Sequence, residues 1–292
     1  MLNDTDRRLL GRTLELASLG GRAVAPNPKV GAVIVDSDRI ISEGYHAAYG
    51  GPHAEAVALE HAGSESRGGT LYCNLEPCSY SAPDKHNGPC TERIIEAGVS
   101  RVVVGQLDPN ERVRGGGVAA LRAAGIEVDM PNEFPDGWYE NAAFNTHASL
   151  SRPFVTLKLA QSLDGKIAAR GGDSKWITDE KARAEVHELR AAHDAVLVGI
   201  GTALSDNPRL TARRGATTTE QAAEEPPYPR QPLAVVLDAS LQLPPDSRLV
   251  SERAHELVVL VSDAPRDHEP GPPADSNQLA ARAAELTRRG VT

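Results

Sequence analysis

One histidine and two proline-preceded cysteines constrain this chain more than any other feature: Pro52-His53-Ala54-Glu55 is followed by Pro77-Cys78 and then by Pro89-Cys90. A zinc ion that activates water needs three protein ligands and one open position, and an imidazole with two thiolates supplies that set. Glu55 stands two residues beyond the histidine, free of the metal and able to move protons. His53 opens HAEAVALEHAG and Cys90 opens CTERIIEAG, both helix-like, so both predicted ligands stand at helix N-termini. The dipole and free N–H groups there favour thiolate over thiol.

Around these segments the chain alternates helix and strand. Asp4 or Thr5 is expected to cap a helix running to about Leu19, which Gly20-Gly21 ends. APNPKVGAVIVD and RIISEGYH, parted by Ser37-Asp38, read as a hairpin. TLYCNL, RVVVG and IEVD read as strands and VAALRAAG as a helix. The pattern restarts near Ser149 to Arg152, so two domains are expected, over 1–149 and 150–292. In the second, FVTLKLAQS reads as a buried strand, DEKARAEVHELRAA as an amphipathic helix, and AVLVG, LAVVLD and LVVLVS as further strands. ATTTEQAAEEPPYPRQP and DAPRDHEPGPPADSN have the composition of exposed or mobile loops.

A chain of 292 residues with 40% hydrophobic content can build two cores. Its net charge of −9 argues against a broad nucleic-acid footprint, and the expected partner is a small molecule rather than nucleic acid. No apolar run reaches the length of a membrane span, and MLNDTDRRLL lacks the apolar core of a signal peptide. The expectation is a cytoplasmic protein with no membrane partner, for which a homo-oligomer stays open. The 3 cysteines do not make a disulfide framework, and Cys73, inside TLYCNL, reads as a small buried hydrophobe. Gly199-Ile200-Gly201 follows a strand but lacks the third glycine of a dinucleotide fingerprint.

The site has a structural rival: a closed zinc needs a fourth protein ligand, for which His61, His86 and Cys73 are candidates. His61 lies too far along the helix begun by His53. His86, inside the loop between the cysteines, reads as a solvated loop histidine. A His-x-Glu followed by Pro-Cys is the order found in zinc deaminases, where the glutamate serves as general acid/base; the short Cys-x-x-Cys spacing is absent here. A nucleic-acid-acting deaminase is therefore a second rival, disfavoured by that spacing and by the charge.

The longer runs APNPKVGAVIV, GYHAAYGGPHAE, PCTERIIEAGVSRVV, DPNERVRGGGVAALRAAGIEV, RPFVTLKLAQSLDGKIA and LRAAHDAVLVGIGTALSDNPRLTAR together resemble one family: the bifunctional riboflavin-biosynthesis enzymes, a pyrimidine deaminase fused to a pyrimidine reductase. The resemblance covers nearly the whole chain. It implies an α/β protein with a cytidine-deaminase-like three-layer α/β/α domain, then a dihydrofolate-reductase-like α/β domain that is expected to be truncated after Thr292. It implies Zn2+ on His53, Cys78 and Cys90, Glu55 as the proton shuttle, and a phosphoribosylated diaminopyrimidine as substrate. Asn27 and His46 match positions facing that substrate, with a turn or capping role as the equal alternative. In the second domain it puts Ala160, Trp176, Thr202 and Asp206 beside NADPH, and Ser174, Arg190, Leu210 and Arg213 beside the substrate. Read from the residues alone, Arg190 is a surface helix arginine or a phosphate clamp, and Trp176 a rim aromatic or a face for a ring.

Overall fold

A computed structural model of the chain describes residues 2–37, 39–80, 88–111, 113–214, 228, 230–262 and 276–292. Its contacts divide it into two units, 1–157 and 158–292. Among the described residues, no helix is long and apolar enough to cross a membrane.

The first unit is built on five strands: β1 (Gly31–Asp36), β2 (Arg39–Tyr45), β3 (Thr70–Leu75), β4 (Arg101–Gln106) and β5 (Glu127–Asp129), in the spatial order β2-β1-β3-β4-β5. β1 runs antiparallel to β2 and β3, while β3, β4 and β5 are parallel. Ser37, at φ 55, turns the predicted hairpin. Alternate side chains of β1 enter opposite cores, so its GAVIVD reads as a continuous apolar run. Ala32 and Ile34 pack with α2 (Ala54–Ala62), α3 (Cys90–Ala97) and α4 (Gly116–Ala123) through Ala58, Ile94 and Leu121. Val33 and Val35 pack on the other side with Leu9, Leu10 and Leu16 of α1 (Asp4–Ser18). The result is the expected three-layer α/β/α arrangement, followed by α5 (Pro135–Glu140) and α6 (Ala142–Leu150).

The cap of α1 is Asn3 rather than Asp4 or Thr5. Asn3 Oδ1 accepts from the Asp6 N–H at 2.8 Å, and Asp6 returns the bond to the Asn3 N–H at 3.0 Å. Asp6 also holds the layers together. Its buried carboxylate accepts from Tyr72 OH at 2.8 Å and from both terminal nitrogens of Arg101, which also grips Asp129 at 2.7 Å. One ion cluster thus ties α1 to β3, β4 and β5. Arg101's hydrogen bonds hold the Asp6 carboxyl at about 2, against the opposing effect of burial.

The second unit contains α7 (Glu180–Ala192), β6 (Ala195–Gly199), α8 (Ile200–Asp206), β7 (Leu233–Leu237), α9 (Arg248–Arg253), β8 (Leu257–Leu260) and α10 (Ser276–Arg288). Its three strands are parallel in the order β6-β7-β8, with Ala234, Val236, Leu249, Leu257 and Leu286 in the core. One expectation fails here. FVTLKLAQS joins neither sheet, and Val155, Leu157 and Leu159 are 74%, 80% and 64% exposed. Its alternation of apolar and polar residues marks a surface fit to pair, but alternation does not supply the neighbouring strand that would satisfy its backbone. His86 and most of the two Pro-rich stretches lie outside the described residues.

Asp6→Asn is expected to lower stability at pH 7 by about 2 kcal/mol, the free energy equivalent of its depressed carboxyl. A depressed carboxyl stabilises above its unfolded value and loses that contribution as pH falls through the folded one. Denaturant melts of both proteins should therefore converge between pH 4 and pH 2; a gap that persists to the acid end would contradict the assignment.

Candidate active site

The carboxyl ends of β3 and β4 and the start of α2 converge on a cavity of about 220 Å³ in the first unit. Each chemical group reaches it from a different element. Gly44 lets α2 approach β2 closely, since a Cβ there would stand 2.5 Å from Ala54 O. That contact sets His53, at the N-cap, and Glu55, in the first turn, against the sheet. Cys78 follows the end of β3, and Cys90 opens α3.

The three predicted metal ligands meet. His53 Nδ1 is 3.2 Å from Cys90 Sγ and 3.6 Å from Cys78 Sγ, and all three ligand atoms lie within 4.8 Å of one another. The Cys90 N–H points at Cys78 Sγ from 3.3 Å, a donor that favours thiolate. None of the three cysteines forms a disulfide. Cys73 is fully buried in the sheet core, and burial pushes its thiol well above its ordinary value, which suits a packed hydrophobe rather than a ligand. Among the described residues no other group of His, Cys, Asp or Glu is placed to hold an ion, and no fourth protein ligand joins this one.

Glu55 is 3% exposed, and its Oε2 has no hydrogen-bond partner among the described residues. Burial raises its carboxyl above the usual range. A raised carboxyl so placed is suited to taking and giving protons.

Asn27 and His46 both line the cavity. His46 Nδ1 lies 2.9 Å from Pro52 O, so that nitrogen donates; Nε2 is left to accept from Asn27 Nδ2 at 3.2 Å. Burial lowers the His46 imidazole, in keeping with this neutral tautomer. The loop bearing Asn27 is held by two buried amides: Asn74 and Asn141 both accept from and donate to the backbone of Lys29 to Gly31.

Sequence reasoning missed part of the wall. Glu76, two residues before Cys78, is buried, and its carboxylate accepts from the backbone N–H groups of Asp108, Gly115, Gly117 and Val118 at 2.9 to 3.2 Å. It fastens the loop after β4 to the strand that delivers Cys78. That loop presents Asp108 and Asn110 to the cavity, with burial pushing the Asp108 carboxyl up to about 6. The run LEPC contained the signal, a carboxylate beside a ligand, but its partners lie more than thirty residues away.

In the second unit, Arg190 and Arg213 converge on Thr211. Leu210 is buried with φ 53, while Ala160 is half-buried. Ser174, Thr202 and Asp206 are exposed, the latter two one turn apart on α8, and Trp176 is 70% exposed beneath the Arg183 guanidinium.

A three-layer α/β/α domain that gathers one histidine, two cysteines and a buried glutamate with one unpaired oxygen defines a zinc-dependent deaminase of the cytidine-deaminase class. Residues 4–106 match the zinc-binding region of cytidine and deoxycytidylate deaminases, and residues 153–270 match the RibD C-terminal domain. The chain is 40% identical over 260 residues to riboflavin biosynthesis protein RibD of Aquifex aeolicus, covering 89% of this chain and 69% of that one. It is 39% identical to that of Escherichia coli, over 85% of this chain and 67% of the other. Two solved structures superpose over 98% of the chain: Acinetobacter baumannii RibD, with a TM-score of 0.76, 35% identity and 72% of that chain covered, and a deaminase/reductase from Thermotoga maritima, with 0.75, 39% and 78%. The chain belongs to the RibD family, and is a bifunctional deaminase and reductase of riboflavin biosynthesis that uses zinc and NADPH. It spans about two thirds of the length of these curated relatives.

Cys78→Ala or Cys90→Ala should abolish stoichiometric zinc and lower the melting temperature of the first unit, read by metal analysis and calorimetry. Glu76→Gln should keep zinc yet cost roughly 2 kcal/mol, because an amide cannot replace a carboxylate facing four donors. A fully stable Glu76 variant would deny the loop its anchor.

Proposed function

We propose that the first unit deaminates the diaminohydroxyphosphoribosylaminopyrimidine named for the Thermotoga maritima relative, with zinc held by His53, Cys78 and Cys90. The observation that carries this reading is the buried Glu55 carboxylate, its Oε2 unpaired, beside a three-ligand cluster. The donor set fits zinc: one imidazole and two sulfurs, two of the three groups at helix starts. Zinc bound there supplies the Lewis acidity that makes water a nucleophile near neutral pH.

The side chains do the rest. Glu55 takes one proton from the attacking water and delivers it to a ring nitrogen, then carries the second from the new hydroxyl to the departing amine. Ammonia leaves and a ring carbonyl remains. With its Nδ2 committed to His46, Asn27 has its carbonyl oxygen to offer an N–H on the pyrimidine edge. Asp108 and Asn110 complete the polar wall.

The second unit is read as the reductase, NADPH supplying hydride to the sugar. Thr202 and Asp206 offer a hydroxyl and a carboxylate from one exposed helix face, Trp176 offers a ring, and Ala160 stands close to the cofactor in this reading. Ser174, Leu210, Arg190 and Arg213 take the substrate. The two arginines suit a phosphate because no carboxylate among the described residues neutralises either one.

Glu55→Gln should retain zinc while deaminase turnover falls by about 10² to 10⁴, the usual share of a general acid/base. Mass spectrometry of the product should show a one-unit gain for amine to carbonyl with the wild type, and a further two-unit gain when NADPH is added. Unchanged turnover in the zinc-loaded glutamine variant would end the shuttle assignment.

A further inference from the structure

The second unit holds a cluster of cations that the deamination chemistry does not use. On α7, His187 and Arg190 stand one turn apart and face the segment that follows Leu210. Arg190 Nη1 donates to Thr211 O at 3.3 Å, and Arg213 Nη1 donates to Thr211 Oγ1 at 2.7 Å. Both guanidiniums are held below their ordinary values, by burial first; the charge of Arg213 adds to this at Arg190, and that of Arg209 at Arg213. Two like charges brought together in a partly buried place, with no carboxylate on either among the described residues, are arranged for an anion.

His187 packs against the pair as a neutral neighbour. It is 7% exposed, with Nε2 at 3.1 Å from Arg213 Nη2. A guanidinium can only donate, so Nε2 accepts and the ring proton sits on Nδ1, a buried atom with no partner among the described residues. Burial, then Arg213 and Arg190, push the imidazole down to about 4 against an upward pull from the Thr211 backbone, so it is neutral at pH 7 and keeps its lone pair. The choice of acceptor matters. A carboxylate at this position would orient Arg213 equally well but would cancel its charge and compete with the anion, whereas a neutral imidazole orients without cancelling.

We propose that His187 is a positioning residue of an oxyanion clamp: its Nε2 lone pair fixes Arg213, so that Arg190 and Arg213 together present their remaining N–H groups to a phosphate monoester. Thr211 serves both arginines from the other side, also as a neutral acceptor. The inference rests on the reading of Arg190 and Arg213 as substrate side chains, and adds the residue that aims them.

The test uses the full zinc-loaded chain with ribose 5-phosphate and ribose as probes, followed by calorimetric titration and by NMR. Wild type should bind the phosphate sugar in preference to ribose. His187→Leu should weaken ribose 5-phosphate binding about tenfold, the loss of one hydrogen bond to a charged group, and leave ribose unchanged. His187→Gln restores a neutral acceptor near Nε2 and should recover most of the affinity. His187→Glu, of the same shape but charged, should abolish it. Equal losses for Leu and Gln, or full binding by the Glu variant, would overturn the proposal. If Arg213→Gln left ribose 5-phosphate binding untouched, the substrate reading of the arginines would fail, and the clamp with it. A folded His187→Leu protein with wild-type affinity would sink the positioning role alone.

Discussion

The first unit depends on burying two carboxylates in the wall of one cavity and treating them differently. Glu76 and Glu55 are both almost wholly enclosed at the same end of the sheet. Four backbone N–H groups satisfy Glu76, whereas Glu55 keeps an unpaired oxygen beside His53 and the two cysteines. Burial of a charge is tolerated where fixed donors match it. Glu76 meets that condition entirely within the protein, and so it builds. Glu55 does not, and is matched only by the chemistry of the site. The separation of roles follows from donors rather than from residue type.

This architecture explains why three ligands from distant stretches meet at all. In an open α/β sheet, groups delivered by successive crossovers gather beyond the carboxyl ends of the strands. Cys78 leaves β3 there, and Asp108 leaves β4 there. The close fit of α2 on Gly44 brings His53 and Glu55 in from the side. Asn74 and Asn141 clamp the backbone just after Asn27, so buried amides add to the core packing of Val30 in setting the opposite wall.

Legibility in the sequence followed the range of the interaction. His53, Glu55, Cys78 and Cys90 were readable because each belongs to a short motif at a helix start or strand end. The hairpin and the helices of the first unit were readable from periodicity. Asn3 escaped notice because Asp4 and Thr5 are equally good capping types, and only the return bond from Asp6 decides among them. Glu76 was unreadable because its four donors sit beyond the next helix and strand. FVTLKLAQS misled for the converse reason: its pattern is locally that of a strand, while pairing is a property of the neighbour. Arg190 alone could not be told from a surface arginine until Arg213, more than twenty residues on, was seen to share Thr211 with it.

The arginines of the two units show what an acceptor reveals about a cation. Arg101 ends on Asp6 and Asp129, and its charge is spent on holding layers together. Arg253 does the same with Glu256 and two backbone carbonyls. Arg190 and Arg213 end on a carbonyl, a hydroxyl and an imidazole, acceptors that direct a guanidinium and leave its charge intact. A buried cation held only by neutral groups is destabilising by itself, since desolvation is not repaid by an opposite charge. The fold maintains that cost in the last turn of α7, where Thr211, next to a left-handed Leu210, meets both side chains. Among the described residues no carboxylate supplies that opposite charge, the condition that the proposed phosphate clamp requires.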